Sequence, residues 1–422
     1  MPHQEALTVV ARLDPAGVPA LLPALDELRK SPAHNDILPF GALPGCHFGR
    51  VLFLPASNDL QGQPIPPQLL LLSDCDGSAD DHLEAMVDVA GGGLDALFGA
   101  CEGYPARPAR RAERAAFLRN QSISVKANYV HRPGRSVDQI RRESQLRAAL
   151  QAFLGERGFG ELPALELRKR IQAFVRSDAD CSWAAEAPEP PSLRFRAERA
   201  LDFATLPLGA AALGPLLVPA LLSLLALVRM QERSDQSEHI RPAPEHVRAL
   251  AELEDLAAHN GFTAAGFVKP GWVRQTVLQL VLPLIGWGTR NLFTRDSLAG
   301  VKSIHFARWI PLDHGRRVVF ASNYDGSLES YNNDFIDLVS WGLNLVFSNG
   351  FGYPKTDWLV FGGAQREQEF KDFLRRHQVP TPIWYSAYPE LTAVQVERNA
   401  ALRAGLRGHM TEREAQRWLR LL

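Results

Sequence analysis

Net charge is almost absent: 46 basic and 47 acidic residues leave a formal charge of -1. That balance removes any global electrostatic attraction to nucleic acid. Cysteine is scarce, and Cys46, Cys75, Cys101 and Cys181 form no CxxC pair and no zinc-type spacing. The sequence also lacks HExxH, GxSxG, a P-loop and a dinucleotide fingerprint, so no nucleotide or hydrolase chemistry is written in a short motif. Gly91-Gly92-Gly93 lies within a helix-like run and has no phosphate-loop context. The opening Met-Pro-His-Gln-Glu lacks the charged and apolar regions of a signal peptide, so the cytoplasmic side is expected, with reduced thiols.

What is present is a duplicated string. His47-Phe48-x-Arg50, Ser73-x-x-Asp76-Gly77-Ser78 and Gly103-Tyr104-Pro105 return as His305-Phe306-x-Arg308, Ser322-x-x-Asp325-Gly326-Ser327 and Gly352-Tyr353-Pro354. Asp76 to Tyr104 and Asp325 to Tyr353 are both separated by 28 residues. Matched spacing of polar residues marks two copies of one structural unit.

Apolar patterning places elements in each copy. In the first, 6–13, 47–54, 68–72 and 122–131 read as strands, and 18–30, 80–98 and 137–154 as helices. In the second, 263–270, 303–312, 317–323 and 383–388 read as strands, and 272–285, 328–347 and 394–406 as helices. The order βαββαβ plus a terminal helix predicts an α+β protein of two ferredoxin-like repeats, packed sheet on sheet as a fused α+β barrel. The expected division is 1–158, an insert at 159–259, and 260–422. If Leu312 faces Arg317 in the second hairpin, Tyr324 falls opposite His305 and Asp325 opposite Ile304. Cys46 and Cys75 approach each other in the same way. Ile304 and Tyr324 at the matching places favour packing over a disulfide.

The insert holds Phe203 to Val228, 26 residues without a charge. That length suits a bilayer, although Pro207, Pro215 and Pro219 interrupt a straight helix. A single crossing would put the repeats on opposite sides of a membrane and stop them pairing. A re-entrant or surface-lying segment is therefore expected, bordered by the apolar stretch 278–287. A buried apolar hairpin is the competing reading. Arg194, Arg196, Arg199, Arg229 and Arg233 flank the run and suit anionic headgroups.

A carboxylate beside an imidazole suits a general base or a metal ligand. His305, Asp325 and Arg308 are the candidate catalytic residues, with His47 and Asp76 as their counterparts. Strand alternation places His305 and Arg308 on opposite faces, with Asp334 or Asp337 as helix partners for Arg308. Asp-Gly-Ser is equally a turn followed by a helix cap. Where the copies differ (His131 for Ala387, His82 for Tyr331, Cys75 for Tyr324), a ligand pocket is expected. The second copy is rich in aromatics, and Tyr324, Tyr331 and Trp341 are candidates to line a site for an apolar small molecule or lipid.

The paired repeats resemble the dimeric α+β barrel superfamily over about three-quarters of the chain, and are distantly similar to dye-decolourising peroxidases. That resemblance implies an oxidoreductase with haem, with His305 as the iron ligand and Asp325 and Arg308 as polar partners. Here the string is Ser-x-x-Asp-Gly, not that family's Gly-x-x-Asp-Gly. The alternative is a non-catalytic, membrane-attached lipid- or partner-binding module whose repeated motifs are scaffold.

Overall fold

The computed structural model describes residues 4–157, 162–187, 193–235, 239–293 and 298–422. Residues 1–3 and the expected boundary at 158/159 lie outside them. The first unit runs β1 (Gln4–Arg12), α1 (Val18–Lys30), β2 (Cys46–Leu54), a small ribbon of β3 (Ser57–Asn58) and β4 (Pro64–Ile65), then β5 (Gln68–Asp76). It continues with α2 (Ala79–Ala90), α3 (Gly93–Phe98), α4 (Arg111–Gln121), β6 (Ala127–Val130) and α5 (Val137–Arg157). Between the units come α6 (Ala164–Ser177), α7 (Leu193–Ser234) and α8 (Pro244–Ala251). The second unit has β7 (His259–Phe267), α9 (Trp272–Asn291), β8 (Ile304–Leu312), β9 (Arg317–Asp325) and α10 (Leu328–Phe347). A ribbon of β10 (Thr356–Asp357) and β11 (Phe361–Gly362) follows, then α11 (Glu367–His377), β12 (Ile383–Ser386), α12 (Ala393–Ala404) and α13 (Glu412–Leu419).

The protein is α+β, and its two large sheets are antiparallel, in the orders β1-β5-β2-β12 and β6-β8-β9-β7. Each unit therefore gives its last strand to the sheet of the other. The stretch expected as one strand at 122–131 does two jobs. Ile123 N donates to Thr8 O at 2.9 Å beside β1, and the chain then crosses to pair Ala127 with Trp309. Its counterpart lets Val379 N donate to Thr263 O at 2.8 Å, then pairs Ile383 with Val51. Local alternation specifies a strand but not its partner, which is why the sequence could not reveal the exchange. Among the described residues the strands form no closed barrel.

Leu69 to Leu72 make the first half of the central strand β5 continuously apolar because both its faces are covered. Leu52, Leu54, Leu70 and Leu72 meet Ile310, Leu312, Val319 and Ala321 between the sheets. A helix layer covers the outer face of each sheet. A further core joins α5, α6, α12 and α13 through Leu146, Leu150, Ile171, Val175, Leu402 and Trp418. Part of the expected insert thus packs with the terminal helices of both units. The helix expected at 80–98 is two helices, because Gly91 turns the chain at φ +49°. Gly93 is pressed so close to Ile37 that a Cβ would meet its carbonyl oxygen at 2.0 Å.

The apolar insert is one long helix, α7, instead of a buried hairpin: only 6% of its most apolar window is buried. Both ends are fixed to the second unit. Asp202 pairs with Arg290 and Asn291, and Phe203 stacks on Trp287. At the other end Asp235, just past the helix, binds Lys269 and Arg274, while Glu232 accepts from Thr356 Oγ1. A straight helix from Asp202 to Asp235 would measure about 50 Å, whereas Arg274, which binds Asp235, and Trp287, whose Nε1 donates to Asp202 O at 3.0 Å, stand only about 20 Å apart on α9. Side chains cannot span the difference, so α7 must arch, with Pro207, Pro215 and Pro219 inside it as the causes of bending. Its middle stands away from the body. Arg196 and Arg199 at the start of the run belong to the same helix, whereas the side chain of Arg194 lies outside the description.

Candidate functional site

Each hairpin carries a β-bulge at its histidine, His47 in β2 and His305 in β8. Register follows the expected pairing from Leu312–Arg317 as far as Phe306–Asn323. The bulge then shifts it by one, and Ile304 faces Tyr324. A bulge re-aims side chains, and here it brings His305 to the same inter-sheet side as Arg308. The expected opposite-face arrangement is thereby corrected.

The aspartates close the joint. His305 Nε2 lies 2.7 Å from Asp325 Oδ1, and His47 Nε2 lies 3.0 Å from Asp76 Oδ1. The second carboxylate oxygen of each accepts from the first backbone N–H of a terminal helix: Ala393 N to Asp325 at 2.6 Å, Val137 N to Asp76 at 2.9 Å. The expected turn chemistry is present in both copies. Gly77 and Gly326 have φ of +80° and +79°, and Ser78 and Ser327 cap α2 and α10. Gly-Tyr-Pro is scaffold as well, since Tyr104 and Tyr353 donate to Asp95 and Asn344 at 2.6 and 2.7 Å.

The third position differs between copies. In the first, Gln4 Nε2 donates to Arg135 O at 2.7 Å and lies 3.1 Å from His47 Nε2. In the second, His259 takes that place: its Nε2 contacts Leu391 O and lies 3.3 Å from Asp325 Oδ1. His259 Nδ1 lies 3.1 Å from Ser386 Oγ. The ligand atoms of His259, His305 and Asp325 all fall within 4.8 Å of one another. Burial, followed by the neighbouring His305, lowers the His259 pKa to about 3 and keeps that ring neutral.

The two constellations share one aromatic centre. Tyr388 lies 2.9 Å from His47 Nδ1 through its hydroxyl, and its ring is 5.9 Å from His259 and 6.0 Å from His305. Burial first, then Asp74, Asp76 and Asp325, pushes the Tyr388 phenol well above its ordinary range. His259 and Gln4 were missed in the sequence, and Tyr388 counted only as one of the second copy's many aromatics. The matched register would have found the first two, because Gln4 faces Asp76 and His259 faces Asp325.

Arg308 does not face the helices or reach Asp334 and Asp337. It crosses between the sheets to bind Leu7 O at 2.8 Å, Ser73 O at 3.0 Å and the Asp74 carboxylate. Arg50 mirrors it, donating to Phe262 O at 2.8 Å, Ser322 O at 2.9 Å and the Asn323 amide oxygen. Facing an amide and carbonyls in a buried place, Arg50 has its pKa drawn down to about 9 by desolvation. These arginines are cross-sheet ties. Tyr324 and Tyr331 are core residues stacked at 4.1 Å, Tyr331 bonding Ser322 Oγ at 2.6 Å, and Trp341 is half exposed on α10. Tyr324 and Tyr331 belong to the apolar core of the second unit. A cavity of about 560 Å³ instead lies where β2 and β7 approach each other, lined by Val51, Phe53, Phe267, Val379 and Ile383 with Arg29, Arg317 and Arg376. The cysteines are free and buried, with Cys46 opposite Cys75.

Haem does not fit around His305. Its ring is packed by His259, Phe48 and Tyr388 at centroid distances of 4.4, 5.4 and 6.0 Å, and its Nε2 is held by Asp325. Hydrogen-bonded neighbours cannot stand on opposite faces of a porphyrin. The chain matches no family model, no curated protein and no solved structure.

Proposed function

We propose that this is a non-catalytic, membrane-surface binding protein: two ferredoxin-like repeats forming a fused α+β barrel, held against a bilayer by the arch of α7. The barrel reading is supported by the two chain segments that touch one sheet and then join the other, at 122–130 and 378–386. The observation that carries the membrane reading is the exposed apolar middle of α7, where Leu216 is 76% and Leu222 62% accessible. Leaving such side chains in water forgoes roughly 1–2 kcal/mol each, which contact with acyl chains would recover. Both flanking units share sheets, so they stay on one side and the arch dips in without crossing. Trp272, Trp341 and Trp358 are exposed on the second unit, and such rings favour the headgroup level. The arginine-edged cavity suits an apolar molecule with an anionic end.

Vesicle flotation of the full chain tests this reading. The wild type should float with anionic-lipid vesicles, and Leu216→Glu with Leu222→Glu should abolish flotation while leaving the fold intact. A wild-type protein that stays at the bottom of the gradient as a monomer would sink the proposal.

A further inference from the structure

The duplicated joint provides its own control for what the scaffold needs. In the first unit a carboxylate, a histidine and an amide hold the N-terminus of α5: Asp76 takes Val137 N, and Gln4 holds Arg135 O. In the second unit Asp325 takes Ala393 N and His259 contacts Leu391 O, two residues earlier, just as Arg135 precedes Val137. An amide is therefore sufficient for the mechanical task. The imidazole of His259 adds something an amide lacks, a nitrogen lone pair with affinity for borderline metal ions.

We propose that His259 Nε2, His305 Nε2 and Asp325 Oδ1 bind one divalent transition-metal ion, of the zinc class, in the second unit alone. Tetrahedral bonds of 2.0–2.1 Å place ligand atoms about 3.3 Å apart. Asp325 Oδ1 already lies 2.7 Å from His305 Nε2 and 3.3 Å from His259 Nε2, so closure needs shifts of well under an ångström for these pairs. Binding needs the Nε2 lone pair of each ring free for the ion, which a proton carried on Nδ1 allows. Ser386 Oγ, 3.1 Å from His259 Nδ1, then accepts that proton's hydrogen bond and orients the ligand from behind. Asp325 Oδ2 stays on Ala393 N, leaving Oδ1 for the ion. The Leu391 carbonyl, which loses its donor, is a candidate fourth ligand. His259 is 1% and His305 3% exposed, which makes this a closed, structural site that fastens α12 to the hairpin. In the first unit Gln4 Nε2 is turned toward His47 and its carbonyl oxygen is taken by Gly134 N at 3.0 Å, so the same trio is not formed.

The test uses the full chain without an affinity tag, stripped with EDTA and titrated with Zn²⁺ and Co²⁺. One ion per chain, a rise in Tm on loading, and a Co²⁺ spectrum of low-coordinate nitrogen and oxygen ligation are expected. His259→Gln, which copies the working amide of the first unit, should fold and lose affinity by more than about 100-fold. Ser386→Ala should lose about 10- to 100-fold, as a supporting contact does. His47→Gln should keep the ion. No stoichiometric metal, or equal affinity in His259→Gln, overturns the proposal. If His259→Gln does not fold, a Co²⁺ spectrum or Ser386→Ala affinity that departs from these expectations overturns it as well.

Discussion

Gln4 in the first unit and His259 in the second hold equivalent loop carbonyls, of Arg135 and Leu391, yet only the second can offer a metal another nitrogen. The exposed surfaces diverge in the same direction. Among the described residues the first unit exposes Leu22, Leu60 and Val89. The second exposes Trp272, Leu280, Leu284, Leu338, Trp341, Phe351, Trp358 and Phe361, among others. The joints, caps and cross-sheet arginines are common to both. Duplication thus separates what the architecture requires from what one copy has acquired. The acquired features lie on the copy that carries α7.

The largest expected difference between copies is at the crossing arginines. Arg308→Met strands the buried Asp74 carboxylate and should cost about 3–5 kcal/mol in denaturant unfolding. Arg50→Met strands only an amide and carbonyls, and should cost about 1–3 kcal/mol. Equal losses, or the reverse order, would break the distinction between a charged and a neutral tie.

Next is acid. Burial lowers His82 of the first unit and His377 of the second to pKa values of about 4. The unfolded chain therefore binds more protons between pH 6.5 and 4. Stability is complete above that window and falls through it on acidification, by about 1.4 kcal/mol per pH unit for each group. His82→Tyr, which copies Tyr331, should flatten the dependence by one group, measured as Tm against pH. An unchanged slope would show that His82 does not contribute.

A subtler change sharpens the metal asymmetry. Gln4→His supplies the first unit with a histidine beside His47 and Asp76, and should raise the stoichiometry from one ion to two. At an ion concentration 100-fold above Kd the second ion should add about 2.7 kcal/mol of stability. The smallest effect is at the matched caps: Ser78→Ala and Ser327→Ala should each cost about 1 kcal/mol. A large inequality between them would mean that the two joints are not equivalent.

Much of this was legible in the sequence. The repeated string located both hairpins, both helix caps and the His–Asp neighbours, because those are local features with strong residue requirements. The strand exchange was hidden, since 122–131 reads as a strand whichever sheet receives it. The bulges were hidden too, because one unpaired residue leaves the apolar pattern of β8 nearly intact while turning His305 around. His259 escaped notice because it stands alone, one residue before the expected start of its unit. Tyr324 and Tyr331 looked like pocket residues, but aromatic density cannot distinguish a lined cavity from a filled core.

The exchange of β6 has a consequence in time. Its partner strand begins at Ile304, 174 residues beyond Val130, so during synthesis β6 waits unpaired for about 9–35 s. Within that interval α7 leaves the ribosome, 38 residues and about 2–8 s ahead of α9, against which it will be fixed. An unpaired strand and an uncovered apolar helix are then present together on an unfinished chain. If a bilayer receives α7 at this stage, it shelters the most aggregation-prone part of the nascent protein until the second unit arrives to complete both sheets.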